Sequence, residues 1–158
     1  MITIIDGRSG SGKTELAARL AAETGARVIH MDDLYAGWHG LATGSRLLER
    51  GILAPLTAGA VARWRRWDWE ISDWGPEDRA APGEHLIIEG CGSLTIESRE
   101  HAQRTIWLEA PESVRRARAL ERDGDDSWWL LWREQEDAHI AAHDPAAIAD
   151  EVQPTSLG

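Results

Sequence analysis

Residues 7–14, Gly-Arg-Ser-Gly-Ser-Gly-Lys-Thr, constrain this chain more than any other stretch. They follow "ITII" (2–5), a short β-branched run that ends at Asp6 and Gly7. They precede "ELAARLAAET", which is rich in helix formers with apolar residues at helical spacing. A strand, a glycine turn and a helix in immediate succession make a concavity lined by backbone N–H groups at the positive end of a helix. The pattern is G-x-x-x-x-G-K-[ST], the P-loop. Its glycines let successive N–H groups converge on nucleotide phosphates, and its Ser/Thr offers a hydroxyl to Mg²⁺. Composition sharpens the point, because Lys13 is the only lysine among seventeen fixed positive side chains. A flexible ammonium follows phosphate oxygens as a point charge, whereas a guanidinium imposes a planar fork. The expected phosphate-binding set is therefore Gly7, Arg8, Ser9, Gly10, Ser11, Gly12, Lys13 and Thr14, with ATP and Mg²⁺ as its ligands.

"ARVIHM" (27–31), "EHLIIEG" (around 85–89) and "RTIWLEA" (104–109) read as further short apolar strands, and Pro111 opens the helix "ESVRRARALER". A fifth strand is expected around Val152. Short apolar strands alternating with helices imply parallel strands buried on both faces. The expected fold is α/β, a three-layer P-loop NTPase arrangement with a mostly parallel five-stranded sheet and helices on both faces, in one domain over residues 1–158. Two stretches break the alternation. Residues 36–84 hold five of the nine tryptophans and read as an insertion over one sheet edge. "DGDDS" (123–127) is an acidic turn between helices, and "SWWLLWREQEDAHIAA" places Trp128, Trp132 and Gln135 on one helical side with Glu136 beside them.

A formal net charge of −10 repels a nucleic-acid backbone, and the short basic run Arg63, Arg65, Arg66 is followed at once by Asp68 and Glu70. Cys91 is alone, so no intrachain disulfide is expected. No signal-peptide pattern opens the chain, and no apolar run approaches the roughly 18–20 residues that span a bilayer. The expectation is a cytoplasmic protein with a small-molecule partner, no nucleic acid and no membrane; the oligomeric state stays open.

A P-loop leaves the reaction open, and ligands in open α/β sheets sit beyond the carboxyl ends of the strands. There the chain carries Asp32 and Asp33 ("HMDDLY") and Glu89 ("IIEG"). Carboxylates at that rim suit Mg²⁺ ligation and a base for an incoming hydroxyl. With "GRSGSGKT", "MDDLY", "RWDW", "LIIEG" and the arginine-rich "RRARALERD", the chain resembles the P-loop kinases of small metabolites, most nearly the uridine/cytidine branch of the nucleoside kinases. The resemblance covers residues 1 to about 125. It implies Asp32 as general base and Thr14, Asp32 and Glu89 as the Mg²⁺ environment. It implies Tyr35 and Asp68 at the acceptor, and Arg118 and Arg122 swinging in with a lid over about 115–133 to neutralise the transferred phosphoryl group. The spacing agrees, since Arg115, Arg118 and Arg122 fall on one helical face. The expected function is phosphoryl transfer from ATP to a small-molecule hydroxyl, a nucleoside being one candidate. Two alternatives stand beside it: a nucleoside-monophosphate kinase whose acceptor phosphate is clamped by Arg63, Arg65 and Arg66, and a nucleotide-dependent switch or ATPase acting on a protein. An Asn-Lys-x-Asp guanine reader is excluded, because there is no second lysine.

With no Phe and one Tyr, tryptophan must serve as the large aromatic filler. Trp69, Trp74 and Trp107 are expected in the core, and Trp128 and Trp132 are expected to dock the helix after the lid. Trp38 and Trp67 are expected to form a stacking wall for a flat acceptor, anchored by Asp68. In an extended "RWRRWDWEI", Trp67, Trp69 and Ile71 would share one face. The six histidines show no zinc-binding spacing.

Overall fold

The structure, a computed structural model, describes residues 1–155, so the C-terminal limit of the expected domain lies outside the described residues. In chain order the elements are β1 (Ile2–Gly7), α1 (Lys13–Thr24), β2 (Arg27–His30), a 3₁₀ turn (Met31–Asp33), α2 (Leu41–Arg46), a π-helical segment (Leu47–Leu53), α3 (Ala54–Thr57), β3 (Ala62–Asp68), β4 (Asp73–Ala80) and β5 (Leu86–Glu89). They continue with α4 (Ile96–Arg99), β6 (Arg104–Glu109), α5 (Glu112–Asp123), α6 (Trp129–His143), α7 (Pro145–Ile148) and β7 (Glu151–Pro154).

The five expected strands form one sheet in the order β2-β5-β1-β6-β7, every pair parallel. The period of two sorts their apolar residues into two layers. Ile2, Ile4, Leu86 and Ile88 face one side, where Leu48, Ile52 and Leu53 of the helical insertion and Trp132 of α6 cover them. Ile5, Ile87, Ile106 and Leu108 face the other, against Leu16 and Ala17 of α1. Burying each of the large aliphatic side chains contributes roughly 1.5–3 kcal/mol, so both helix layers are needed to hold the sheet. Among the described residues no helix is long and apolar enough to cross a membrane.

The insertion holds structure that periodicity alone does not announce. Residues 41–57 run as one helix whose middle is widened. Pro55 has no N–H for the carbonyl four residues back, and just before it Ala54 N–H bonds Glu49 O, five back. The antiparallel hairpin β3–β4 then folds against the sheet edge, where Arg27 of β2 pairs with Asp78 at 2.6 Å and donates to Arg79 O at 2.6 Å.

The expected alternation through 67–71 fails here. The β3–β4 register shifts between Arg65 and Trp67, β3 ends at Asp68, and residues 69–72 form the connecting turn. Trp69 therefore leaves the hairpin face, is 37% exposed rather than core, and donates its indole N–H to Asp32 O at 2.9 Å. Ile71 is exposed. Trp107 is buried as expected, while Trp74 is half-buried, edge-on to Trp67 at 5.2 Å.

Candidate active site

Three strand ends, β1, β2 and β5, converge on one rim, and the chain that leaves each of them lines a cavity of about 750 Å³. A smaller cleft of about 180 Å³ adjoins it over the glycine turn. Gly10, Lys13, Thr14 and Arg122 line both, so the two spaces meet at those residues.

The turn is held from behind. Gly10 has φ +80°, and a Cβ there would lie 2.2 Å from Arg115 O. Only glycine fits that conformation under that carbonyl. Gly12, at φ +94°, hands the chain to α1, which starts at Lys13. The Lys13 ammonium donates to Arg8 O at 2.9 Å and approaches Ser11 Oγ at 3.4 Å. Burial opposes its charge, but Cys91, Glu89, Glu136 and Asp6 outweigh that, and its pKa lies above the ordinary lysine value. Ser9 N–H donates to Glu136 Oε2 at 2.6 Å, and Arg8 turns outward to Glu136 and Asp137. Thr155 Oγ1 donates to Ser11 O. Gly7, Arg8 and Ser11 thus shape the turn without lining either space, whereas Ser9, Gly10, Gly12, Lys13 and Thr14 line one or both.

Glu136 and His139, buried on one side of α6, were not picked out by the sequence reading as tethers of the turn. His139 Nε2 lies 2.9 Å from Asp6 Oδ2, and Asp6 accepts from the N–H groups of Gly7, Gly92 and Leu94. Their only signal is a spacing of three on a helix whose partners are remote in sequence.

At the rim, Thr14 Oγ1 donates to Glu89 Oε1 at 3.3 Å, and the same oxygen is 2.6 Å from His30 Nδ1. The hydrogen bond to Glu89 raises the His30 pKa above its ordinary value. In the sequence His30 is one of six histidines without metal spacing, and its place as the last residue of β2 is the signal that carries it to this rim. Asp32 is open to the cavity yet surrounded by protein. That desolvation and the Glu89 carboxylate push its pKa up, against the pull of Lys13, Arg122 and His30. Thr14, Asp32 and Glu89 are all-oxygen donors at one rim, the chemistry that suits Mg²⁺ shared with phosphate. Among the described residues no three His, Cys, Asp or Glu side chains form a protein-only metal cage.

Arg118 and Arg122 face the smaller cleft from α5. Among the described residues Arg118 Nη1 is buried without a hydrogen-bond partner and would lie 3.3 Å from a Cβ on Gly12, while Nη2 of the same guanidinium is 3.7 Å from Glu15 Oε1. Arg122 is paired with Asp123 at 2.9 Å. Arg115 departs from the expected common face. It is buried and donates to Ala110 O at 3.0 Å, packing under the turn instead of facing the cleft.

The far wall is aromatic. Trp38 lies 5.0 Å from Trp69 and 5.6 Å from Trp128, the latter pair nearly parallel at 18°. Trp132 closes the floor edge-on to Tyr35 at 4.8 Å. Tyr35 lines the cavity but is fully buried, and its hydroxyl donates to Cys91 O at 2.5 Å, so it serves as floor. Cys91, whose thiol burial pushes well up in pKa, lies beside it. Two expected acceptor residues are not brought here. Trp67 packs on Trp74, and Asp68 accepts Glu70 N–H at 2.9 Å, because the shifted β3 register sends Trp69 into the cavity in their place. Arg63, Arg65 and Arg66 also lie outside it. Arg63 is 3.3 Å from Glu77, and Arg65 donates to Trp74 O and Gly75 O.

No protein-family model matches the chain, and no curated protein sequence does. Solved structures do. The structure of "a Possible Uridine Kinase" from Bacillus stearothermophilus is 23% identical over 96% of this chain and 87% of that one, with a TM-score of 0.68. A gluconokinase from Sinorhizobium meliloti is 20% identical over 99% and 83%, with a TM-score of 0.55. A shikimate kinase from Bacteroides thetaiotaomicron is 17% identical over 98% and 86%, with a TM-score of 0.56. The chain therefore has the fold of the P-loop small-molecule kinases.

Proposed function

We propose that this protein transfers the γ-phosphoryl group of ATP to a hydroxyl of a small molecule. The observation that carries the reading is the junction of two spaces at Gly10, Lys13, Thr14 and Arg122, one a cationic cleft over the glycine turn and the other a cavity with a carboxylate at its mouth. The first would take the phosphates of ATP, where the glycine cradle, Lys13, Arg122 and Arg118 Nη1 call for an anion. The segment 36–84 forms the acceptor side and about 115–133 the lid of one domain.

Thr14 would hold Mg²⁺, with Asp32 and Glu89 directly or through water; when bound, the ion supplies charge neutralisation on the phosphates. Asp32 accepts the proton of the attacking hydroxyl. Lys13, Arg118 and Arg122 stabilise negative charge as it moves onto the leaving oxygen, the positioning and electrostatics on which phosphoryl transfer depends. His30 holds Glu89 in place from the β2 end. The clamp expected for a phosphate acceptor does not form, since Arg63, Arg65 and Arg66 do not line the cavity and Arg122 sits at its junction with the smaller cleft. That favours a hydroxyl over a nucleoside monophosphate.

Asp32→Asn tests the reading. Turnover should fall by about 10² or more while affinity for ATP stays within a few-fold. Unchanged ADP release would remove Asp32 from the role of base.

A further inference from the structure

We propose that the acceptor is an organic cation, an amino alcohol or amino sugar whose protonated amine rests against the Trp38–Trp69–Trp128 wall beside Asp33 and Asp125. The inference rests on the phosphotransfer reading of the same cavity and names its substrate class.

The wall offers ring faces and little else. Trp69 gives its indole N–H to Asp32 O at 2.9 Å, and Trp128 gives its own to Asp125 O at 3.0 Å. With those two donors engaged, what Trp69 and Trp128 have left to offer a ligand is the electron-rich ring face, which attracts a cation. Trp38, 46% exposed, lies between them. The same two bonds bring the wall next to Asp33 and Asp125, both of which line the cavity. Ser127 N–H and Oγ orient the Asp125 carboxylate at 3.0 and 2.7 Å.

The polar groups are segregated by kind. Lys13, Thr14, Arg122 and His30, the side-chain donors, belong to the phosphate end, and His30 and Arg122 are already paired there with Glu89 and Asp123. The acceptor wall presents carboxylates, which only accept. A neutral base is read through alternating donors and acceptors on its edge, usually by amide side chains. This chain has no asparagine, and Gln103, Gln135 and Gln153 lie outside the cavity. A ligand rich in N–H donors and positively charged matches that wall; a neutral edge or an anion does not. Two cations act on Asp33: His30, which lines the cavity and is hydrogen-bonded to Glu89, and Arg66, which acts from outside it. The net charge of −10 adds long-range attraction for the same ligand.

The chemistry leaves the amine untouched. The acceptor hydroxyl oxygen bonds to the γ-phosphorus, the bond from that phosphorus to the β-phosphate bridging oxygen breaks, ADP departs with the electron pair, and the hydroxyl proton passes to Asp32.

ADP release measured with matched pairs decides the question: glucosamine against N-acetylglucosamine, and 3-amino-1-propanol against its N-acetyl derivative, with uridine, cytidine and glucose as neutral acceptors. At least one amine should exceed its acetylated partner and every neutral acceptor by tenfold or more in kcat/KM. Asp33→Asn and Trp38→Leu should each pull that amine-to-acetyl ratio toward one. Uridine or an acetylated partner equalling or beating the amines overturns the cation inference and leaves phosphotransfer standing. A ratio that neither substitution moves also overturns it. Failure of every acceptor to raise ADP release overturns the phosphotransfer reading, and the inference with it.

Discussion

At the glycine-turn end of the cavity, Gly10 sits under the Arg115 carbonyl, Ser9 N–H is held by Glu136, and Asp6 gathers three backbone N–H groups and His139. At the tryptophan end, proposed above for the acceptor, Trp38, Trp69 and Trp128 come from three separated segments and meet largely through ring contacts at 5.0–5.6 Å. The first region is fixed by buried polar bonds whose loss leaves a group unsatisfied, and the second by partly exposed side chains that can be truncated without that penalty. The contrast teaches where each kind of damage should register: in chemistry and stability at one end, in acceptor affinity at the other.

The strongest way to break that contrast is at Lys13. Lys13→Met should lower turnover by about 10³, read as ADP release at saturating acceptor, because the ammonium is the buried one of the two cations at the junction of the two spaces. A loss below tenfold would mean the turn tolerates its absence and the two ends are alike.

Next in size is Glu136→Leu, which leaves Ser9 N–H and the Cys91 thiol without an acceptor. Unfolding free energy should drop by roughly 2–4 kcal/mol in a denaturant titration. Trp38→Leu should do the converse, raising acceptor KM about tenfold with little change in midpoint, since its side chain is half open to solvent.

The pH responses are smaller. Because burial and the Glu89 carboxylate hold the Asp32 carboxyl above the usual carboxylate value of 3.8, its titration midpoint in the metal-free protein, followed by NMR, should lie above that value. Removal of the neighbouring charge in Glu89→Gln should shift it downward. For His30, whose folded-state pKa is raised above 6.5, the Glu89 contact stabilises the fold fully below pH 6.5 and is lost as pH climbs through the raised value. Wild type should therefore lose more of its Tm advantage over His30→Gln between pH 6 and 9 than a surface histidine variant would.

The two ends also differ in how far the sequence revealed them. The glycine turn, the five strands and the α1 start are local patterns, legible because the residues that make each contact are neighbours in the chain. Asp32 and Glu89 were legible because strand ends carry them to one rim. Trp69 was not, since a single register shift between Arg65 and Trp67 exchanges it for Trp67, and no local pattern marks that shift. The helix over 41–57 was hidden by Gly44, Gly51 and Pro55, whose propensities burial against the sheet overrides. Glu136 and His139 looked like ordinary polar positions on an amphipathic helix, and their partners, Ser9 and Asp6, lie over a hundred residues away.

One helix spans the whole contrast. Along α6, Trp132 floors the acceptor wall, Gln135 donates to Trp38 O at 2.6 Å and accepts from Leu41 N–H, Glu136 holds Ser9, and His139 holds Asp6. Those four residues lie within little more than two turns of a rod about 1.5 Å per residue in rise. Any slide of that rod past its neighbours shifts the tryptophan loop and the glycine turn together. A substitution that loosens α6 should therefore disturb both ends of the cavity at once.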